Sequence, residues 1–163
     1  MKKIILITAM SVLASIIPAS AQLPSVTLKN TDGKTVDTAK LNNDGKPFII
    51  SFFALWCKPC LRELTAIHDV YADWQDETGV KLIAISIDEG QNSLKVAPYV
   101  NGNGWEYDVL LDPNGDFKRA MGVNMVPAIF VIDENGKVAS SRTGYTDGSE
   151  GHLLEEVKKL LEK

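Results

Sequence analysis

Residues 48–54 read Phe48-Ile49-Ile50-Ser51-Phe52-Phe53-Ala54, a nearly unbroken apolar run rich in β-branched and aromatic side chains. Such a run fits a strand buried on both faces at the centre of a sheet. Two residues on comes Trp56-Cys57-Lys58-Pro59-Cys60, and beyond it Leu61, Leu64, Ile67, Tyr71 and Trp74 recur at spacings of three and four. That stripe predicts an amphipathic helix from about residue 58 to 76. Pro59 falls in its first turn, where the missing N–H costs nothing, and Gly79 marks the stop. Both cysteines of the chain therefore stand at one strand-to-helix junction.

The rest of the chain supplies the cover such a strand needs. Val26 and Leu28 alternate with polar neighbours, and Asp32-Gly33 turns the chain into Lys34-Thr35-Val36, which predicts a short hairpin. Residues 81–87 form a second buried strand, residues 91–100 a helix, and 107–111 a short strand. Asp112-Pro113-Asn114-Gly115 is a turn, and Phe117 to Met121 a short helix. A strand over 127–133 joins its partner over 137–143 through Glu134-Asn135-Gly136. Leu153, Leu154, Val157, Leu160 and Leu161 mark a C-terminal helix, with Glu155 and Lys159 paired four apart on its wet side. Strands alternating with helices imply parallel pairing through right-handed crossovers, and the last hairpin adds an antiparallel edge. The predicted class is α/β, a central mixed sheet flanked by helices.

The first 21 residues read differently. Lys2 and Lys3 precede Ile4 to Ile17, which carry no charge, and Ala19-Ser20-Ala21 follows in a small-x-small pattern. This is the layout of a secretory signal peptide; the apolar run falls short of the roughly 20 residues that span a bilayer. Residues 22–163 are then one domain. Export places it outside the cytosol, in a bacterial periplasm or on the outer surface, where disulfide chemistry is possible. The whole chain has 163 residues, 45% apolar and 23% charged, with a net charge of −4. Seventeen basic against 21 acidic residues leave no basic footprint for nucleic acid.

Cys57 and Cys60 lie three positions apart across a helix start, with two residues between them, so their sulfurs can close a disulfide with little backbone movement. The exposed N–H groups and dipole of that helix end favour a thiolate, and Lys58 adds a positive charge. Cys57, ahead of the helix, is predicted to be the exposed attacking thiol. Cys60, one turn in, is the partly covered resolving thiol. A purely structural disulfide is a weaker reading, because closing a four-residue loop gains only about 2 kcal/mol. A zinc site needs about four ligands. Only His68 and His152 remain, and His68 lies about 12 Å from Cys60 along the helix axis. No metal and no cofactor beyond the redox-active cysteine pair is expected.

Trp56-Cys57-Lys58-Pro59-Cys60, preceded by Phe52-Phe53-Ala54, resembles the active site of the thioredoxin superfamily. Leu28 to Lys34 ahead of Gly45-Lys46-Pro47, and Val126 to Lys137, narrow the likeness to the secreted TlpA/ResA-type thiol–disulfide oxidoreductases. The resemblance covers nearly all of residues 25–163. It implies a thioredoxin-like fold with an added N-terminal β-hairpin. It also implies that Pro127 is a cis-proline facing the cysteines, although only about 5% of X–Pro bonds are cis. Val126 would then offer backbone groups to an extended substrate segment. Trp56 would form a partly exposed wall beside the sulfurs, with Lys58 and Pro59 completing the substrate-facing surface. Reductases of this type carry a functional Glu where this chain has Glu63. Thioredoxins proper have a buried Asp six residues before the first cysteine, and here that position is Ser51. Proton handling would fall to Glu63 or to water; the other reading of Glu63 is a first-turn acid that merely complements the helix dipole.

The activity expected is exchange of protein disulfides through Cys57 and Cys60. The family direction is reduction, for example in cytochrome c maturation, with a monomer recharged by a membrane electron donor. A disulfide-forming oxidase would use the same residues. A peroxidase of similar fold would need Thr three residues before its cysteine, where this chain has Ala54. A copper carrier on the same fold would favour C-x-x-x-C with a distant His, for which His152 is the candidate.

Overall fold

The computed structural model describes residues 22–162; the predicted signal segment, residues 1–21, lies outside them. The strand over 48–54 takes the position its composition demands. It is β3 (Phe48–Phe53), with every residue buried. β4 (Lys81–Ser86) pairs parallel to one side of it and β6 (Ala128–Ile132) antiparallel to the other. β5 (Asp108–Leu111) pairs parallel with β4, and β7 (Val138–Thr143) antiparallel with β6. β1 (Thr27–Asn30) pairs antiparallel with both β5 and β2 (Thr35–Asp37). Among the described residues this makes one mixed seven-stranded sheet, ordered β2-β1-β5-β4-β3-β6-β7.

Helices cover both faces. α1 (Lys58–Thr78) connects β3 to β4 and packs on β3 and on α5 (Ser149–Leu161). Leu64, Ile67, Tyr71 and Trp74 are buried along its stripe. Gly79 ends it at φ +66°, a left-handed conformation that glycine adopts without a Cβ penalty, and its N–H closes on Gln75 O at 2.8 Å. The other face holds Phe52, whose ring meets Phe117 of α4 (Asp116–Ala120) at 5.4 Å and Phe130 at 5.9 Å.

Two local expectations are corrected. The single helix over 91–100 is two short ones, α2 (Gly90–Ser93) and α3 (Val96–Gly102). The reason is Pro98: a continuous helix would lose the bond from residue 98 to Leu94 and clash with that carbonyl. Restarting at Val96 puts Pro98 in a first turn, where no N–H is needed. On α5 the cation that meets Glu155 is Lys158 rather than Lys159. Lys158 Nζ lies 3.4 Å from Glu155 and 2.6 Å from Glu77 of α1, so it joins the two helices.

Candidate active site at the start of the long helix

The chain leaves β3 in a short, firmly held turn. Cys57 N–H donates to Ala54 O at 3.0 Å. Leu55 N–H donates at 2.9 Å to Oδ2 of Asp88, a buried carboxylate just past β4 that also accepts from Ser86 Oγ at 2.9 Å. Cys57 is extended, φ −91° and ψ 92°, and serves as the N-cap of α1. Its Sγ accepts from Cys60 N–H at 3.3 Å, and its carbonyl accepts from Leu61 N–H at 3.1 Å. The two cysteines form a disulfide, with 5.3 Å between their Cα atoms.

Access to the sulfurs is unequal. Cys57 is 6% exposed and Cys60 0%. The ranking follows position along the helix, but Cys57 is not the open thiol that position alone predicts: Trp56, Lys58 and Pro59 rise around it as exposed side chains. Trp56 is 65% exposed, whereas Trp74 and Trp105 are buried. Across the sheet, Ala128 is in register with Phe52, which sets Pro127 beside the exit of β3. The Val126–Pro127 bond is cis, the isomer the resemblance implies. Pro127 is buried, Val126 half-buried and Met125 exposed; the carbonyl of Pro127 accepts from Gly144 N–H at 2.8 Å.

Glu63, three residues past Cys60, shares its helix face. It is 0% exposed, and its Oε1 lies 3.4 Å from Arg142 Nη2. Burial pushes its carboxyl up to about 7, against the downward pull of the Arg142 charge and hydrogen bond; Glu150 repels it further upward. Ser51, where thioredoxins carry Asp, is buried, and its hydroxyl has no partner among the described residues. His68 is half-buried against Tyr107, with ring centroids 6.4 Å apart, and His152 is exposed on α5. Among the described residues no group of three or more His, Cys, Asp or Glu is placed to hold a metal ion.

Two residues of this neighbourhood had no signal in the sequence. Asp88 follows a buried strand and reads as a loop acid. Arg142 sits in a polar edge strand, where a charge ordinarily faces water.

A cysteine pair that caps a helix, with one side chain marginally accessible and the other fully covered, is built to pass a disulfide between itself and another molecule. With this sheet behind it, the pair defines a thiol–disulfide oxidoreductase of the thioredoxin superfamily. The chain belongs to the AhpC/TSA family, whose profile matches residues 19–141. It is 30% identical over 123 residues to the thiol-disulfide oxidoreductase ResA of Bacillus thuringiensis (strain Al Hakam), covering 76% of this chain and 68% of that one. Solved structures are similar over more of the chain. A thioredoxin-like protein from Porphyromonas gingivalis is 66% identical, with a TM-score of 0.77 over 88% of this chain and 94% of its own. A thiol:disulfide interchange protein of the thioredoxin family from Chlorobium tepidum TLS is 29% identical, with a TM-score of 0.68 over 87% and 97%.

Proposed function

We propose that this oxidoreductase reduces protein disulfides in the bacterial cell envelope, with Cys57 as the attacking and Cys60 as the resolving thiol. The observation that carries the reading is the Cys60 N–H aimed at Cys57 Sγ over 3.3 Å at the start of α1. In the reduced protein that donor and the helix dipole stabilise a thiolate on Cys57. The thiolate attacks one sulfur of a partner disulfide, and the other leaves as a thiolate. Cys60 then gives its proton to Glu63 and attacks Cys57 Sγ, releasing the second partner thiolate and re-forming the Cys57–Cys60 bond. Two electrons pass to the partner and none is lost. Trp56, Lys58 and Pro59 form the rim that meets the partner, and the backbone of Val126, ahead of Pro127, pairs with its extended segment. Residues 1–21 export the domain 22–163, which works as a monomer in the periplasm and is re-reduced by a membrane donor. Cysteines of a haem-attachment site in cytochrome c maturation are a substrate of the right chemistry.

Trapping with Cys60→Ser tests the exchange step: Cys57 should hold partners as mixed disulfides identifiable by mass, and Cys57→Ser should hold none. Equilibration with glutathione buffers tests the direction. A reductase belongs toward the thioredoxin end of the scale, about −270 mV; a value near −120 mV would instead assign disulfide formation.

A further inference from the structure

Arg142 belongs to an edge strand yet turns its side chain inward and is only 24% exposed. Its Nη1 donates to Ser149 O, at the first residue of α5, over 2.9 Å. Its Nη2 reaches Glu63 on α1. One guanidinium thus ties the edge strand to both helices on this face. Register puts Ser51, Ile129 and Arg142 in one row across β3, β6 and β7, so Ser51 shares the face that α1 covers. Ser51 Oγ, Glu63 Oε2, Arg142 Nε and Ser149 Oγ are all buried without a partner. Glu63, Arg142 and Ser149 therefore form a polar cluster under the helix that carries the cysteine pair, with Ser51 two strands along the same row and Cys60 one turn back from Glu63.

We propose that Arg142 is a positioning residue for disulfide exchange: its guanidinium offsets part of the burial cost of the Glu63 carboxylate, so that from neutral pH upward this carboxylate is there to take the proton Cys60 gives up in the resolving step. The inference rests on the reading of Glu63 as proton acceptor. In that step the Cys60 S–H proton moves to a Glu63 oxygen. The electron pair left on Cys60 forms the bond to Cys57, and the partner sulfur departs with the pair of the broken bond.

The reason lies in competing magnitudes. A buried carboxylate without a partner neutralises rather than remain charged. An opposite charge within about 4–6 Å returns about one to three pH units. The other groups facing Glu63 do not do this work. Glu150, on the first turn of α5, repels it and is held by Tyr145 Oη at 3.1 Å. Ser51 and Ser149 are neutral, β6 contributes Ile129, and the disulfide on α1 carries no charge. Arg62, the residue before Glu63, is exposed and turned to Asp147 at 3.5 Å.

The test compares Arg142→Gln, which removes the charge but keeps a donor for Ser149 O, with Arg142→Lys and Glu63→Gln. One readout is the carboxyl carbon of Glu63, titrated by NMR in the oxidised protein. The other is the pH profile of thiol release from a chromogenic mixed disulfide on Cys57. Arg142→Gln should raise the Glu63 midpoint and the rising limb of the profile by about one pH unit or more, slowing release about fivefold at neutrality and about tenfold well below it. Arg142→Lys should stay within about half a unit of the wild type; a full unit of displacement in it would show that charge is not what matters. An unmoved Glu63 midpoint in Arg142→Gln, with Glu63→Gln still altering the profile, would overturn the role of Arg142 and leave that of Glu63 standing. A profile unaltered by Glu63→Gln would remove the proton acceptor itself, and the inference with it.

Discussion

Glu63 is fully buried, so water does little for its charge and the folded protein holds a proton there up to about pH 7. The unfolded chain releases that proton near the ordinary 4.5. Between those values the native state binds more protons than the unfolded state, so stability falls as pH rises and levels off above 7. The loss is on the order of 3 kcal/mol. Glu63→Gln should flatten this segment: urea midpoints measured from pH 4.5 to 7.5 should show the wild type declining relative to the variant. Parallel curves would mean that Glu63 is ionised throughout. That a glutamate one turn past Cys60 can lie near the pair is legible from helical spacing. That it meets Arg142 is not, because the partner lies 79 residues away on a strand whose polar pattern reads as solvent-facing.

Among the elements, the turn between β3 and α1 depends on a residue just past the end of β4. Asp88 accepts from Leu55 N–H and from Ser86 Oγ through one oxygen, Oδ2. Asp88→Ala would leave the Leu55 N–H without its partner, at a cost of about 1–3 kcal/mol. The Leu55 amide should then exchange with solvent markedly faster, and an unchanged protection factor would show that the turn holds itself. Periodicity made β3, β4, β6 and α1 legible, because each has a face or a whole surface to hide, and such patterns are written locally. It blurred α2 and α3, where apolar residues recur from Leu94 to Val100 but Leu94 is largely exposed and Pro98 forces a restart. It gave no hint of Asp88, whose partner is 33 residues away and whose own neighbours read as a loop.

On the scale of the molecule, the sheet and the helices on its two faces stand without the disulfide. The bridge closes a loop of only four residues, so it restrains the unfolded chain by about 2 kcal/mol at most. The apolar core runs through β3, β4 and α1, with the two cysteine side chains as a small part of it. Reducing the Cys57–Cys60 bond should leave a folded protein whose urea unfolding is weakened by about that amount at most; global unfolding would contradict this account of the core. An enzyme that opens its bridge at every turnover needs such independence. The same cap that places Cys57 also makes α1 a participant in electron affinity. With the bridge closed, the first turn is capped by a neutral sulfur; with it open, by an anion, the better cap. Part of what holds two added electrons is therefore a tighter helix end. Any change that frays the first turn of α1 should leave a protein more eager to give those electrons away and, near neutral pH, slower to begin.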